Sequence, residues 1–143
     1  MACITYGDGL KPVPYSANGY LYACIVTVNG VQAYKVGFTK DPTARFIKCL
    51  TVSEVTYLVI QEQPDVFSDK SINALTRFER QAHMKLKYAL NAQQVKSIQN
   101  LMFQRGFDGW TECYPYTDKA AQEISRVLNK VFDDMDNLIN IKV

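Results

Sequence analysis

The chain has 143 residues, of which 48% are hydrophobic and 21% are charged, and its formal net charge is +2. This length suits a single domain with a hydrophobic core, and the small net charge does not by itself predict a polyanionic partner. The four cysteines are widely spaced and form no C-x-x-C pair, which argues against a disulfide framework or a zinc finger. No apolar run reaches the roughly 20 residues of a membrane-spanning helix, so we expect a cytoplasmic protein without a membrane partner.

The first regular element in chain order is predicted to be a β-hairpin. Residues 1–15 contain several glycines and prolines and predict an extended or looped N-terminal arm. Tyr20 to Thr27 is rich in β-branched and aromatic residues, and Asn29-Gly30 is a strong hairpin-turn signal. Val31 to Gly37 is predicted to return as the second strand.

A short helix and a third strand are predicted to follow the hairpin. Asp41 is in N-cap position and Pro42 suits the first turn, so a helix is expected from Pro42 to about Leu50. Val55 to Glu62 is rich in strand-forming residues and is expected to pair beside the hairpin. These elements predict an α+β fold, with a small antiparallel three-stranded sheet flanked by helices.

The second half of the chain is predicted to be mainly helical. Ser68 or Asp69 can cap a helix that extends to about Leu90, in which apolar residues recur at three- and four-residue steps. Asn91 is expected to begin another helix, Ala92 to Gln104.

A short strand and a long helix complete the predicted elements. Trp110 to Tyr114 is predicted to be a strand, and the last helix is expected to begin at Thr117 or Asp118. Its apolar stripe from Ile124 to Ile139 makes it amphipathic. We expect this C-terminal segment, residues 117–143, either to pack on the domain or to form a homodimer through the Ile124–Ile139 stripe.

Two short motifs on the predicted hairpin, and the arginine after them, resemble those of the GIY-YIG nuclease superfamily. Gly19-Tyr20-Leu21-Tyr22 corresponds to the first motif and Tyr34-Lys35-Val36-Gly37 to the second. Arg45 follows the glycine of the second motif at the family's spacing. The resemblance covers residues 16–116, which we treat as one GIY-YIG-like domain.

Further motifs resemble a phage-associated branch of this superfamily that has Lys-Ile-Gly or Lys-Val-Gly in the second motif and is usually described as DNA-binding. In that branch a glutamate is commonly followed four residues later by histidine, as Glu79 and His83 are here. A Gly-x-Thr-Glu turn lies farther on, as Gly109 to Glu112 does here.

The resemblance implies a metal-dependent DNA endonuclease that hydrolyses phosphodiester bonds, associated with a phage or mobile element. Arg45 would clamp the scissile phosphate, and Glu79 would hold a single Mg²⁺ or Mn²⁺ ion. Tyr22 would orient or deprotonate the attacking water, and Tyr20 is the alternative because it lies on the same strand face.

Lys35 departs from the family's usual pattern, which has tyrosine at this position. A lysine cannot act as a general base near neutral pH unless its pKa falls by several units, but as a cation it can hold phosphate. The predicted DNA-binding residues are therefore Lys35, Lys40, Arg45 and Lys48.

His83 and Glu112 complete the candidate residues. His83 lies one helical turn after Glu79 and is interpreted as a general base, a neighbour of the metal, or a structural histidine. Glu112 is expected either to cap the site or to fasten the fold.

Structural interpretations and other functions stay open. Arg45 and Glu79 also suit solvated surface charges, and Tyr22 suits cross-strand packing. The alternative function is a non-cleaving DNA-binding protein, or a regulator or inhibitor, on the same scaffold.

Overall fold

The structure is a computed structural model that describes residues 2–64 and 77–142. Five strands form one sheet in this part of the chain: β1 (Cys3–Tyr6), β2 (Tyr20–Val28), β3 (Val31–Thr39), β4 (Val52–Glu62) and β5 (Cys113–Tyr114). The helices are α1 (Arg77–Ala89), α2 (Ala92–Gln104), α3 (Asp118–Lys142) and a short 3₁₀-helix, Asp108–Glu112. The predicted α+β class and the C-terminal helix are confirmed.

The sheet is larger than the three antiparallel strands that the sequence predicted. Its strand order is β1-β4-β2-β3-β5. The hairpin and the third strand are present, with β2 antiparallel to both β3 and β4. β1 adds a parallel partner to β4, and β5 adds a short antiparallel partner to β3. The predicted count was wrong because these two strands are short and pair with residues far away in the sequence.

The hairpin turn has the geometry that its residues predict. Asn29 and Gly30 both have positive φ, at 47° and 83°, as a two-residue type I′ turn requires. Val28 and Val31 are the last paired residues on either side of the turn. The turn therefore sets the register that later places the site residues across from one another.

The predicted helix from Pro42 to Leu50 is wrong, since this segment consists of turns. The Asp41 cap does form, because the Ala44 N–H donates to its Oδ1 at 3.2 Å. The bonds that follow span three residues, as from Ile47 N to Ala44 O at 3.3 Å. Phe46 is fully buried here, and so short a segment gains little from cooperative helix formation.

The helices of the second half agree closely with their predicted bounds. α1 ends one residue before Leu90, and its predicted start at Ser68 or Asp69 lies outside the described residues. The Asn91 side chain caps α2 by accepting two backbone N–H bonds, each 3.0 Å long. Of the predicted strand Trp110 to Tyr114, only β5 is extended, because the preceding residues form the 3₁₀-helix.

The sheet carries a hydrophobic core on each face. The core on one face includes Leu21, Val36, Phe78, Leu86, Val127 and Leu128, and thus joins the sheet to α1 and α3. The core on the other face includes Tyr22, Val26, Phe46, Tyr57, Met102 and Phe107. The apolar stripe of α3 is buried in the first core at Ile124, Val127, Leu128, Val131 and Met135. The homodimer through Ile124–Ile139 stays a prediction.

Within the described ranges, none of the helices combines the length and apolar character needed to cross a membrane.

Candidate functional site

The candidate site lies where β3 meets β5 and the 3₁₀-helix. Lys35 pairs with Cys113 across the two strands, so Glu112, the residue before β5, comes close to the Lys35 side chain. On the other side of β3, Gly37 is the cross-strand partner of Tyr22. The two motifs of the hairpin and the Gly-Trp-Thr-Glu turn therefore converge on one place.

A fully buried lysine links the two sides of this place. Lys35 Nζ donates to the Tyr22 hydroxyl at 2.6 Å and lies 2.7 Å from Glu112 Oε1. The Lys35 side chain is 0% exposed, whereas that of Glu112 is 27% exposed. We call this set the buried chain, Tyr22–Lys35–Glu112. A buried charge is tolerated only when it is paired and hydrogen-bonded. The two contacts of Lys35 therefore fix the orientation of the Tyr22, Lys35 and Glu112 side chains.

The pKa values in the buried chain keep Lys35 charged and Tyr22 neutral. Burial acts to lower the pKa of Lys35, but Tyr22 and Glu112 outweigh it and the pKa is raised. Burial raises the pKa of Tyr22 to about 12, although the neighbouring Lys35 acts to lower it. At neutral pH Tyr22 therefore keeps its proton, and Lys35 is not a base.

Two glycines make room for the lysine. A Cβ atom at Gly37 would lie 2.6 Å from both Lys35 Nζ and the Tyr22 hydroxyl oxygen. A Cβ at Gly109 would lie 2.8 Å from Lys35 Cε. Real Cβ atoms do not approach other atoms so closely, so any larger residue would displace the buried chain. The glycine of the second motif therefore has a steric role in this site.

Glu79 and His83 from α1 approach the same glutamate. One potential ligand atom from each of Glu79, His83 and Glu112 lies within 4.8 Å of the other two. We call these residues the Glu–His–Glu triad. His83 Nε2 and Glu79 Oε2 are 3.5 Å apart, and both atoms are buried without a hydrogen-bond partner among the described residues. The other ring nitrogen, His83 Nδ1, lies 2.6 Å from the Tyr114 hydroxyl oxygen.

The two carboxyl groups of the triad have opposite pKa shifts. Burial raises the pKa of Glu79, and the neighbouring Glu112 adds to the rise while His83 opposes it. Burial also acts to raise the pKa of Glu112, but Glu79 and Lys35 outweigh it and lower the value to about 2. Glu112 is therefore ionised at any pH near neutral.

The donor atoms of the triad fit a divalent cation. Two carboxylates and an imidazole are common ligands of such ions, and a cation between them would satisfy the buried Glu79 Oε2 and His83 Nε2. It would also offset the repulsion between two ionised carboxylates. Glu79, predicted from the sequence as the metal ligand, thus lies in a suitable donor set together with His83 and Glu112.

A cavity of about 530 Å³ opens beside Glu112. Arg45 and Lys48 also line it, as do Thr51 and Asp108. Arg45 is exposed, with its guanidinium carbon 5.2 Å from the centre of the Phe46 ring. The cavity therefore brings two exposed cations, Arg45 and Lys48, together with one member of the triad, Glu112.

Some of the residues predicted from the sequence lie apart from this arrangement. The Tyr20 hydroxyl donates to Pro14 O at 2.8 Å, so Tyr22 is the motif tyrosine that contacts Lys35. Lys40 follows the end of β3 and does not line the cavity described above. Lys35 belongs to the buried chain, where its ammonium group has no exposed surface.

Glu112 has a more central place than the sequence suggested, and Tyr114 was not considered as a site residue. Glu112 belongs to the buried chain, the triad and the cavity lining. The Gly-Trp-Thr-Glu motif pointed to Glu112, although its sequence position alone cannot show that β3–β5 pairing brings it to Lys35. No comparable signal marks Tyr114.

Comparison with known proteins does not assign the chain to a family. No family model, curated protein or solved structure matches it. The GIY-YIG resemblance therefore depends on the motifs quoted above and stays a prediction.

Proposed function

We propose that the protein is a metal-dependent DNA endonuclease of the GIY-YIG type that hydrolyses phosphodiester bonds. The observation that carries this proposal is the position of Glu112. This residue lines the cavity that Arg45 and Lys48 line, and it lies within 4.8 Å of ligand atoms of Glu79 and His83. Exposed cations and potential metal ligands are thus adjacent, an arrangement that suits phosphodiester hydrolysis.

Arg45 is the residue that we assign to the scissile phosphate. Its guanidinium group can form two parallel hydrogen bonds to phosphate oxygens, and it stays charged at all relevant pH values. Lys48 lines the same cavity and would add a second positive charge. Both side chains are exposed, so they can contact DNA without any rearrangement of the core.

Glu79 is the residue that we assign to a single Mg²⁺ or Mn²⁺ ion. Such an ion, when bound, would stabilise negative charge on the phosphate and on the leaving oxygen. The burial of the Glu79 carboxylate limits competition from bulk water for its oxygen atoms.

Tyr22 and Lys35 receive a positioning role. Tyr22 is fully buried and its pKa is about 12, which does not suit deprotonation of water near neutral pH. Lys35 holds Glu112 and Tyr22 together and thereby keeps the carboxylate at the end of the cavity.

A non-cleaving DNA-binding protein is the second candidate. The complete burial of Tyr22 and Lys35 favours it, because these two motif residues are then unable to reach the attacking water. The exposed Arg45 and Lys48 would still bind phosphate.

A plasmid-nicking assay separates these functions. Purified protein is incubated with supercoiled plasmid and Mg²⁺ or Mn²⁺, with EDTA as the metal-free control. We expect metal-dependent nicking by the wild type and by Glu123→Gln, a matched substitution on α3 where Glu123 contacts Lys119 and Arg126. We expect none by Glu79→Gln. Salt-sensitive DNA binding without nicking would reject the nuclease and support the second candidate.

A further inference from the structure

The Glu–His–Glu triad is surrounded by partners that hold its ligands in place. Metal-binding histidines usually form a hydrogen bond through the ring nitrogen that does not bind the metal. His83 has such a contact, because its Nδ1 lies 2.6 Å from the Tyr114 hydroxyl oxygen. When the Nδ1–H group donates a hydrogen bond to the Tyr114 hydroxyl oxygen, the ring lone pair is on Nε2, the atom that faces Glu79.

Glu112 has an outer partner of its own. Its Oε1 lies 2.7 Å from Lys35 Nζ, and its carboxyl group also forms a side-chain hydrogen bond with Glu79 on the triad side. Lys35 is in turn anchored to Tyr22. Outer contacts to both His83 and Glu112 are an observation separate from the closeness of the three ligands, and they are typical of metal centres.

We infer that Glu79, His83 and Glu112 together form a three-ligand site that takes Mn²⁺ or a related first-row transition ion in preference to Mg²⁺. Mg²⁺ favours oxygen ligands and usually binds through one or two carboxylates while keeping several waters. An imidazole nitrogen instead suits transition ions, whose affinity for mixed nitrogen and oxygen sites exceeds that of Mg²⁺. His83 is thus the residue that determines ion preference.

This preference refines the choice between Mg²⁺ and Mn²⁺ in the proposed endonuclease. It rests on the proposed function for the role of the ion in cleavage, but the binding itself is measurable without DNA. Tight binding of Mn²⁺ by a protein that never nicks plasmid would reject the nuclease and leave the metal site intact. Cleavage at the same rate with Mn²⁺ and Mg²⁺ would support the nuclease and reject the inferred ion preference.

The test is a titration of the full chain with Mn²⁺, in which electron paramagnetic resonance measures the concentration of free Mn²⁺. The titration is then repeated with Mg²⁺ as competitor. Mn²⁺ is chosen because it binds thiolates less readily than zinc does, and Cys3 is exposed. We expect one Mn²⁺ per chain, displaced only when Mg²⁺ is in at least about tenfold excess. No stoichiometric binding, or displacement by an equal concentration of Mg²⁺, would overturn the inference.

Two variants test the roles of His83 and its partner. In His83→Gln an amide replaces the imidazole, so we expect Mn²⁺ affinity to fall more than Mg²⁺ affinity and the ratio of the two to drop about tenfold or more. Tyr114→Phe keeps the ring but loses the hydroxyl, and we expect a roughly 10- to 100-fold loss of Mn²⁺ affinity. Tyr116→Phe is the matched control, since the Tyr116 ring packs against Tyr34, outside the triad, with the ring centroids 5.0 Å apart.

The outcomes of the variants are decisive because folding is checked by circular dichroism. A folded His83→Gln protein with an unchanged Mn²⁺ to Mg²⁺ ratio would show that the imidazole does not bind the ion. If His83→Gln does not fold, Tyr114→Phe and the wild-type competition still decide, since an unaltered Mn²⁺ affinity in Tyr114→Phe would contradict the assigned partner.

Discussion

Lys35 and Arg45 are both cations that the sequence motifs single out, yet they lie in opposite environments. Lys35 is 0% exposed and is held by Tyr22 and Glu112 within 2.7 Å. Arg45 is exposed at the cavity, where its closest described aromatic neighbour is the Phe46 ring. A buried cation must be neutralised inside the fold, whereas an exposed one loses little by pairing with solvent.

The difference shows that the second motif and the arginine after it supply two kinds of residue, a buried structural cation and an exposed cation at the cavity. The buried chain orders Glu112 and thereby shapes the triad, so its loss should first be seen in stability. The cavity cations are free to contact a substrate, so their loss should be seen in DNA binding and cleavage. Each of the following substitutions tests whether the two regions differ in this way.

The largest loss of stability is expected from Lys35→Ala. The substitution leaves Glu112 without its cation and opens a space beside Tyr22, so we expect the free energy of unfolding to fall by about 3–5 kcal/mol. Urea denaturation measures this loss. Lys48→Ala, at the exposed cavity, is the control and should cost within about 0.5 kcal/mol. Equal effects of the two substitutions would remove the distinction between the regions.

Gly37→Ala is expected to be the next largest effect. The added methyl group would lie 2.6 Å from Lys35 Nζ and from the Tyr22 hydroxyl oxygen, and relief of this overlap should cost about 2–3 kcal/mol. Thermal unfolding is the measurement, with Gln32→Ala as a control because Gln32 is exposed on the same strand. An unchanged melting temperature would show that the buried chain adjusts freely.

The pH dependence of stability should distinguish the two carboxyl groups of the triad. The pKa of Glu112 is lowered from 4.5 to about 2, so its contribution is present above pH 4.5 and is lost as pH falls toward 2. We expect the stability difference between the wild type and Glu112→Gln to shrink by about 1–2 kcal/mol over that range.

Glu79→Gln provides the control of opposite sign. Because the pKa of Glu79 is raised, its contribution is present below the ordinary carboxyl pKa and is lost as pH rises through the folded-state value. The difference between the wild type and Glu79→Gln should therefore decrease toward higher pH. A parallel pH dependence for the two variants would contradict the assigned shifts.

Local signals were enough to predict most elements of the fold. The Asn29-Gly30 turn, the Asn91 cap and the apolar stripe of α3 each act within a few residues, and each element formed as expected. β1 was not predicted as a strand, and β5 lies within the predicted strand Trp110 to Tyr114 but was not expected to join the sheet, because both short strands pair with distant partners. The helix after Asp41 failed for the related reason that a cap alone does not stabilise a short helix.

The site was predictable only in part. Motif spacing singled out the residues that α1 and the hairpin contribute, but the place where they meet is set by the pairing of β3 with β5. The burial of Lys35 was also hidden, since lysine is almost never fully buried unless it is paired. Its partner, Glu112, is far away in the sequence and was given only a capping or fastening role.

Arg45→Ala should have only a small effect on stability. The arginine is exposed, and its described contact is with the Phe46 ring, so the free energy of unfolding should change by no more than about 0.5–1 kcal/mol. Urea denaturation of this variant, measured beside the wild type, checks that the fold is intact. A loss comparable to that of Lys35→Ala would place Arg45 with the structural residues.

The nicking rate of this same Arg45→Ala protein, measured on supercoiled plasmid with Mn²⁺, tests the account most directly. If Arg45 binds the scissile phosphate, the rate should fall by about 10²- to 10³-fold while the variant stays folded. Nicking by Arg45→Ala at the wild-type rate would show that the cavity beside Glu112 is not where DNA is cleaved.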